Sequence, residues 1–274
     1  MPAHSIIIGN MSMKNDDLKA FYDAVYRKGE DDHYTKLLLS KGKHAVDKMA
    51  VLAELDWKGK RVLDVGCGTG EFAFLAMQHG ASTAMGLDYA PEAVAIAQSK
   101  YHVPGLQYEC GEVTRVTGTY DVIVSMGTIE HMDTPLAVLR HLKSLLAPNG
   151  VMIITCPNWS NPRGYILMTL YLLMDARITL ADIYYFTPKD FEFFAQELQM
   201  KLDWSTFDHE WAHGGKLLDD LARRLPGVAK DSGLQIDATH IDRLLHWLRD
   251  RALPLEVDHA HSGAIALYRF THSA

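Results

Sequence analysis

Apolar and polar positions follow two alternating patterns along this chain. Short apolar runs, typical of buried strands, alternate with longer stretches in which apolar residues recur every three or four positions, as in amphipathic helices. The second pattern predicts helices over Pro91–Lys100 and Pro135–Leu146, after two leading polar helices over Asn15–Tyr26 and His33–Glu54. The first pattern predicts seven strands, near Arg61–Val65, Thr83–Leu87, Leu106–Cys110, Tyr120–Val124, Val151–Thr155, Lys201–Phe207 and Ala264–Phe270. This alternation predicts an α/β fold, a doubly wound and mostly parallel sheet covered by helices on both faces.

A glycine-rich turn directly follows the first predicted strand. It reads Val62-Leu63-Asp64-Val65-Gly66-Cys67-Gly68-Thr69-Gly70. Because glycine has no Cβ, backbone N–H groups in such a turn approach a bound cofactor closely. The dinucleotide fingerprint needs a third glycine where this chain has Glu71. A carboxylate there competes with a pyrophosphate for the positive end of the helix, so the turn favours a cofactor without phosphates.

Further motifs follow the turn in a recognisable order. Each lies at or beside a predicted strand: Gly86-Leu87-Asp88-Tyr89, Gly111-Glu112-Val113, Tyr120-Asp121-Val122-Ile123-Val124-Ser125-Met126 and Leu146-Ala147-Pro148-Asn149-Gly150-Val151. Together with Asp64 and its glycine turn, they closely resemble the motifs of class I S-adenosylmethionine-dependent methyltransferases. The resemblance covers about residues 58–156, and the motifs are nearest to those of small-molecule methyltransferases of the ubiquinone-biosynthesis type.

The resemblance implies a Rossmann-like sheet of seven strands whose last strand is inserted antiparallel beside the fifth. It also implies that S-adenosylmethionine is the cofactor. Asp88 would accept hydrogen bonds from both ribose hydroxyls, and the loop at Glu112 and Val113 would hold the adenine. The full set of cofactor-binding residues expected from the matched motifs is Asp64, Gly66, Cys67, Gly68, Asp88, Tyr89, Glu112, Val113 and Met126.

His131 is the candidate catalytic residue. It lies in Gly127-Thr128-Ile129-Glu130-His131-Met132, and the loop after the fourth strand faces the methyl group in this fold. Histidine titrates near neutrality and suits a general base for a hydroxyl acceptor, although it could instead only anchor the loop. In the ubiquinone-pathway enzymes that this segment resembles, a glutamate three residues before the Glu-His pair helps to bind a divalent cation. Here that residue is Gly127, so no metal is expected.

The resemblance divides the chain into three regions. Residues 1–57 are expected to form helices that cover the cofactor, residues 58–156 the cofactor-binding core, and residues 157–274 the rest of the sheet. Two long insertions, at about 157–186 and 209–258, interrupt this last region; the first ends at a helix predicted to begin near Thr187-Pro188. Connections of this length inside a compact domain are commonly functional, so we expect both to form a helical cap that binds the acceptor.

Composition and charge limit the classes of molecule that this chain is expected to bind. A formal charge of −7, with no run of lysine or arginine, gives no basic surface for nucleic acid, so a small-molecule acceptor is favoured. The longest apolar stretch, Tyr165–Met174, is much shorter than the ~20 residues of a membrane span, and no membrane association is expected. Cys67, Cys110 and Cys156 form no C-x-x-C pair and suit a reducing cytoplasm. The sequence gives no indication of oligomeric state.

One segment matches a different chemistry. His209-Glu210-Trp211-Ala212-His213 has the H-E-x-x-H pattern of zinc peptidases, which place both histidines on one face of a helix beside a third ligand. Gly214 and Gly215 follow at once and disfavour a stable helix there. The sequence therefore predicts a methyltransferase acting on oxygen or nitrogen of a small molecule. The alternatives are a nicotinamide-dependent oxidoreductase and a non-catalytic protein that binds S-adenosylmethionine.

Overall fold

The computed structural model describes residues 43–176, 178–179, 182–252 and 260–273. Its strands are β1 (Arg61–Val65), β2 (Thr83–Asp88), β3 (Leu106–Cys110), β4 (Tyr120–Met126), β5 (Leu146–Pro157), β6 (Met200–Phe207) and β7 (Ile265–His272). Its helices are α1 (Lys43–Leu52), α2 (Glu71–Gln78), α3 (Pro91–Lys100), α4 (Pro135–Ser144), α5 (Pro162–Met174), α6 (Pro188–Leu198), α7 (His209–Ala212), α8 (Gly215–Asp231) and α9 (Ala238–Trp247). The helix predicted over Asn15–Tyr26 lies outside the described residues, and α1 falls within the second predicted leading helix.

The seven strands form one sheet in the order β3-β2-β1-β4-β5-β7-β6. β1 to β5 are mutually parallel, whereas β7 pairs antiparallel with β5 on one side and with β6 on the other. This confirms the predicted mostly parallel sheet with an antiparallel last strand. The chain order reverses between β1 and β4, and ligands of such sheets bind at that switch point, outside the carboxyl ends of the strands.

Most element ends agree with the predicted ones, and the largest difference is at β5. The prediction begins this strand at Val151 and extends the preceding helix to Leu146. In the structure α4 ends at Ser144, because Leu146 pairs with Tyr120 of β4. The pairing then shifts register before Val151 pairs with Val122. The segment Pro148-Asn149-Gly150 therefore forms an irregularity inside β5, although the prediction places it outside the strand.

The sheet buries a hydrophobic layer on each face. Alternate residues of β1 divide between the layers: Leu63 and Val65 pack toward α4 and α6, whereas Val62 packs toward α1, α2 and α3. This is the period of two that strand geometry imposes. Asp64 lies on the same face of β1 as Val62, only 1% exposed beneath α2. Its burial among apolar residues marks it as a functional candidate.

The two insertions pack on each other. Residues of α5 and its flanks join residues of α8 and α9 in a third hydrophobic cluster, whose buried members are Trp159, Leu167, Ala176, Ile178, Tyr185, Leu217, Leu221, Leu225, Val228, Ile241, Leu245 and Leu248. The insertions are therefore more than two independent loops over the sheet. We call this unit, residues 157–186 and 209–252 as far as they are described, the cap.

Among the helices of the described ranges, none combines the length and apolar character needed to cross a bilayer. Cys67, Cys110 and Cys156 are all free thiols, and Cys67 and Cys156 are buried.

Candidate active site

One cleft of about 1000 Å³ lies at the carboxyl ends of β1, β2 and β4. It is lined by all nine residues predicted to bind the cofactor and by the predicted catalytic histidine: Asp64, Gly66, Cys67, Gly68, Asp88, Tyr89, Glu112, Val113, Met126 and His131. The motifs that the sequence separates by up to 67 positions thus meet at one place. Their individual roles stay predictions.

The glycine turn needs its glycines for two separate reasons. Gly66, Gly68 and Gly70 have φ values of +74°, +51° and +85°, a left-handed region that strains other residues. In addition, a Cβ on Gly66 would lie 2.2 Å from Oγ1 of Thr128, in the loop after β4. The absence of a side chain therefore lets the loops after β1 and β4 approach each other, and it keeps the floor of the cleft open to a ligand.

Asp88, at the end of β2, is held by the turn itself. One carboxylate oxygen accepts a hydrogen bond from the N–H of Gly68 at 2.8 Å, and the other accepts one from the N–H of Ala90 at 2.9 Å. The side chain is only 6% exposed. These two hydrogen bonds fix the orientation of the Asp88 carboxylate at the edge of the cleft.

Asp64 differs from Asp88 in its hydrogen bonding. Neither of its buried carboxylate oxygens accepts a hydrogen bond of good geometry from the described residues, although the nearby N–H of Ala73 and the charge of Lys48 act to lower its pKa. Burial, reinforced by the nearby charge of Asp88, raises the pKa of Asp64 from 3.8 to about 7. A buried carboxylate without partners costs folding free energy. A cationic group of a ligand, bound at this position in the cleft, would offset that cost.

The first helical position after the turn also carries a carboxylate. Glu71 begins α2 and forms an ion pair with Lys48 of α1, and both residues line the cleft. With Asp64 and Asp88, this end of the cleft holds three acidic side chains. Such a charge distribution disfavours the phosphates of a dinucleotide and is compatible with a cofactor that carries a sulfonium and an amino group.

The loop after β4 forms the opposite wall. Gly127 has a φ of +57°, and its N–H donates to the carbonyl of Thr155 in β5. A glutamate in place of Gly127 would be strained by this left-handed backbone. Glu130 is 2% exposed, and its Oε2 has no partner in the described part of the chain. Burial, together with the charge of Asp182, raises the pKa of Glu130 well above its ordinary value.

His131 lies beside a residue that the motif analysis missed. Its Nε2 is 3.8 Å from Oδ1 of Asp182, and the two side chains are 13% and 16% exposed. Asp182 belongs to the first insertion, 51 positions along the chain. No local motif marks it, so only the folded structure brings it to the site.

The H-E-x-x-H segment lies elsewhere, after β6. Only a single helical turn forms there: α7 ends at Ala212, before the second histidine, so no stable helix runs through the segment. Glu210 accepts a hydrogen bond from the N–H of Gly215, which begins α8. No group of three or more His, Cys, Asp or Glu side chains that could hold a metal ion is found over the described ranges.

Comparison with known proteins identifies the family. A family model described as "Methyltransferase domain" matches residues 34–213, about two thirds of the chain and the whole of the cleft apart from Ile265. The chain belongs to this methyltransferase family. The nine cofactor-binding candidates and His131 all lie within the matched segment.

Sequence relatives and solved structures agree with the assignment. A "Ubiquinone biosynthesis O-methyltransferase" from Neisseria meningitidis serogroup C is 33% identical over 141 residues, which are 49% of this chain and 56% of that protein. The chain thus matches little more than half of that relative's length. Magnesium protoporphyrin IX methyltransferase from Synechocystis, with bound S-adenosylhomocysteine, has a TM-score of 0.58 at 14% identity and covers 93% of this chain and 100% of its own. A structure titled "[4+2]-Cyclase SpnF" has a TM-score of 0.59 at 16% identity, over 97% of this chain and 100% of its own. The Synechocystis and SpnF structures show that this chain shares their fold.

The family assignment confirms S-adenosylmethionine as the cofactor, and the cleft fits it. The unpartnered Asp64 suits a cationic amino group, the oriented Asp88 suits a pair of hydroxyls, and the open turn at Gly66 and Gly68 allows close approach of the backbone. The predicted family, its fold and its cofactor are therefore confirmed, whereas the acceptor and the part played by each residue belong to the proposal below.

Proposed function

We propose that this methyltransferase moves the methyl group of S-adenosylmethionine to an oxygen or nitrogen atom of a small-molecule acceptor. The observation that carries the proposal is the cleft in which the glycine turn after β1 faces the His131 loop after β4. One wall has the features of a donor site. The other offers a group able to take a proton beside the place where an acceptor would be held.

The donor end is assigned as follows. Asp88 would hold the ribose hydroxyls, the loop at Glu112 and Val113 the adenine, and Asp64 the amino group of the methionine part. Gly66, Cys67, Gly68, Tyr89 and Met126 would form the surrounding wall. S-adenosylmethionine supplies a methyl group activated by its sulfonium, so the protein has only to hold the reactants in line and exclude water.

His131 is assigned as the general base. A hydroxyl acceptor must lose its proton as its oxygen attacks the methyl carbon, and a neutral imidazole in the wall of the cleft takes that proton. An amine acceptor needs only its neutral form and makes no such demand. The name of the Neisseria relative indicates an oxygen acceptor for that protein, and we carry this to the present chain as the favoured case.

The cap and the leading segment complete the proposal. We assign acceptor selection to the cap, because its return segment is fastened to the His131 loop: the N–H groups of Ile183 and Tyr184 both donate to the carbonyl of Glu130 at 3.0 Å. Residues 1–57 are assigned to covering the cofactor, and of these α1 already lines the cleft through Asp47 and Lys48. A cytoplasmic location stays a prediction.

Calorimetric titration tests the donor site first. The purified chain is titrated with S-adenosylhomocysteine and, under the same conditions, with NAD. Micromolar binding of the first ligand alone is the expected result. Binding of NAD alone would overturn the proposal in favour of the oxidoreductase.

An acceptor panel tests the transfer itself. Methyl-labelled S-adenosylmethionine is incubated with the protein and with small phenols, amines and carboxylic acids, and the label is followed into product. Turnover of at least one phenol or amine is expected. The SpnF structure shares this fold under a name that is not a methyltransferase's, so binding of the donor with no turnover of any compound would favour a non-catalytic or different role.

His131→Ala tests the base. With a phenol acceptor we expect turnover to fall by about 100-fold or more, because general-base catalysis contributes about that much. Affinity for S-adenosylhomocysteine should hardly change. His102→Ala is the matched control, since His102 is exposed and lies outside the cleft. A near-normal rate for His131→Ala would leave this histidine as a loop anchor.

A further inference from the structure

We propose that the acceptor of this methyltransferase carries a protonated amino group besides the atom that is methylated, and that the carboxyl group of Glu130 binds this amino group. The inference rests on the proposed function, because it names the class of molecule that the same cleft accepts. It gives Glu130 a role in specificity that is separate from the role assigned to His131.

Glu130 is a buried acid in the wall of the cleft. It lines the cleft in the loop after β4, and it is only 2% exposed. Its Oε2 has no hydrogen-bond partner among the described residues. Because a buried oxygen without a partner costs folding free energy, such a group at a cleft indicates that a ligand supplies the partner.

The space beside Gly127 gives a ligand access to this carboxyl group. A Cβ on Gly127 would lie 3.9 Å from Oε1 of Glu130. Apart from the neighbours of Gly127 in the chain, no other described atom lies within 4 Å of that position. Gly127 itself lines the cleft. A group of the acceptor that occupies this space would therefore contact the carboxyl group of Glu130.

The charge of the cleft selects the sign of that group. Of the described residues that line it, eight are aspartate or glutamate, and two, Lys48 and Arg115, are lysine or arginine. Both basic side chains form ion pairs with acids of the cleft, Lys48 with Glu71 and Arg115 with Glu112 at 3.9 Å. The three arginines that bind Asp220 in the cap are not part of this lining. Such a cleft concentrates cations and repels carboxylates and phosphates.

The cofactor does not account for Glu130. The acids of the donor end are assigned to S-adenosylmethionine, Asp64 to its amino group and Asp88 to its ribose hydroxyls. Glu130 has no such assignment. It is next to His131 in the loop that faces the acceptor, so its partner is expected to come from the acceptor.

The protonation of Glu130 is consistent with a cationic partner. Burial, together with the charge of Asp182, raises the pKa of Glu130 well above its ordinary value, while its own backbone N–H acts in the opposite direction. A cation in contact with the carboxyl group favours the ionised form and so offsets both effects. A protonated amine therefore gains more from Glu130 than an uncharged group does.

Three phenols that differ chiefly in the charge of one side chain test the proposal. Tyramine, para-propylphenol and para-hydroxyphenylpropionate end in an ammonium, a methyl and a carboxylate group. Each is titrated at neutral pH into the protein saturated with S-adenosylhomocysteine, and its Kd is measured by calorimetry. Tyramine should bind at least about 10-fold more tightly than para-propylphenol, as a charge-assisted contact typically provides. Para-hydroxyphenylpropionate should bind most weakly. Tyramine binding no better than para-propylphenol, or not at all, would overturn the proposal.

Glu130→Gln tests the residue itself, because glutamine keeps the shape of the side chain and removes its charge. The advantage of tyramine should fall below about threefold, whereas the Kd values of para-propylphenol and S-adenosylhomocysteine should change by less than about twofold. An equal loss for all three phenols would show a merely structural role and overturn the assignment. If this variant did not fold, as judged by urea denaturation, the order of the three phenols with the unsubstituted protein would still decide against or for a cationic acceptor.

Glu109→Gln is the matched control. Glu109 is an exposed residue of β3 that also lines the cleft, so this variant removes the same charge away from the His131 loop. It should keep the preference for tyramine. A loss equal to that in Glu130→Gln would show that the preference comes from the overall charge of the cleft, and it would overturn the assignment to Glu130.

Turnover separates this inference from the proposed function. The same phenols are incubated with methyl-labelled S-adenosylmethionine, and the label is followed into product. If the phenols bind in the expected order but none is methylated, the proposed transfer fails while the cation site stands. If para-propylphenol is methylated as efficiently as tyramine, and the two bind equally well, the proposed function stands and the present inference fails.

Discussion

Two buried aspartates, one in the cleft and one in the cap, are treated in opposite ways by this fold. Asp64 in β1 is 1% exposed, and Asp220 in α8 is 2% exposed. Neither oxygen of Asp64 has a hydrogen-bond partner among the described residues. Asp220 instead accepts hydrogen bonds from three arginines: Arg163 at 3.0 Å, Arg223 at 2.6 Å and Arg224 at 2.8 and 2.9 Å.

The pKa values of Asp64 and Asp220 differ because their charged neighbours differ. Burial acts to raise both. For Asp64 the charge of Asp88 adds to that effect and outweighs Lys48 and the N–H of Ala73, which act in the opposite direction, so its pKa rises to about 7. For Asp220 the charges of Arg163 and Arg224 outweigh burial, and its pKa falls below 3.8. A buried carboxylate whose hydrogen-bond and charge partners come from its own chain is structural. One that lacks such partners indicates a site where a ligand supplies them.

The same contrast separates the two regions. In the cap, the buried charges have partners within the chain. Arg163 of α5 donates to Asp220 of α8, and Arg224 also donates to the carbonyl of Ile178 at 2.8 Å. The cleft holds two buried acids with unpartnered oxygens, Asp64 and Glu130. The fold therefore surrounds its buried carboxylate with cations in the cap and leaves buried carboxyl oxygens without hydrogen bonds in the cleft, as expected where a ligand completes the site.

The largest predicted effect is that of Asp220→Ala. Removing this carboxylate leaves Arg163 buried without its partner, and losing one member of a buried ion pair typically costs about 3–5 kcal/mol. The free energy of unfolding, from urea denaturation, should fall by that amount. Hydrogen exchange should rise first in α5 and α8, which the carboxylate joins.

Asp219→Ala is the control for that measurement, because Asp219 is the neighbouring residue on α8 and is exposed. Its change in unfolding free energy should stay within about 0.5 kcal/mol, as for most surface substitutions. If Asp220→Ala and Asp219→Ala lost similar stability, the ion pairs of Asp220 would not stabilise the cap, and the contrast with Asp64 in the cleft would be wrong.

Asp88→Ala is expected to have an intermediate effect, on binding more than on folding. Loss of charge-assisted hydrogen bonds to the ribose should weaken S-adenosylhomocysteine by about 1.5–3 kcal/mol. That corresponds to about 10- to 150-fold in Kd by calorimetry. Asp88→Asn should lose less, because its amide oxygen still accepts one backbone N–H. Undiminished affinity in the alanine variant would show that the ribose site is misplaced.

The cleft was open to prediction because each candidate residue lies at the end of a strand or in the loop that follows one. β1, β3 and α3 begin and end where the apolar pattern places them. Asp64, Asp88 and His131 were found because each belongs to a short motif next to a strand, and the carboxyl ends of parallel strands meet at one edge of the sheet. Local sequence therefore contained the geometry of the cleft.

The cap was not open to prediction in that way. The predicted helix start near Thr187 was correct, since Asp190 accepts a hydrogen bond from the N–H of Thr187 at the head of α6, a local signal. Asp182 and Asp220 have no such signal. His131, the ion-pair partner of Asp182, lies 51 positions away, and the partners of Asp220 include Arg163 at 57 positions. Contacts of that separation depend on how α5 and α8 pack, which periodicity does not determine.

The smallest and most discriminating prediction is that Asp64→Asn stabilises the ligand-free protein while weakening donor binding. A carboxyl group whose pKa is higher in the folded state stabilises the fold at low pH, and this contribution is lost as pH rises from its unfolded value of 3.8 to about 7. Asp64→Asn has no carboxyl group to ionise, so it does not lose stability in this way as pH rises. Its unfolding free energy should therefore exceed that of the unsubstituted protein by about 1–3 kcal/mol at pH 8, and the difference should shrink toward pH 4.

Donor binding should respond in the opposite direction. The ionised carboxylate is the form that pairs with a cationic amino group, so the affinity of the unsubstituted protein for S-adenosylhomocysteine should fall as pH drops below about 7, the pKa of Asp64. Asp64→Asn should bind more weakly at pH 8 and lose most of this pH dependence. For Asp220, whose pKa is lowered, the sign is reversed: its stabilising contribution is present at neutral pH and disappears only in acid. A variant at Asp64 that lowered stability at pH 8 would mean that this carboxylate is completed within the fold, and the distinction between the cleft and the cap would no longer hold.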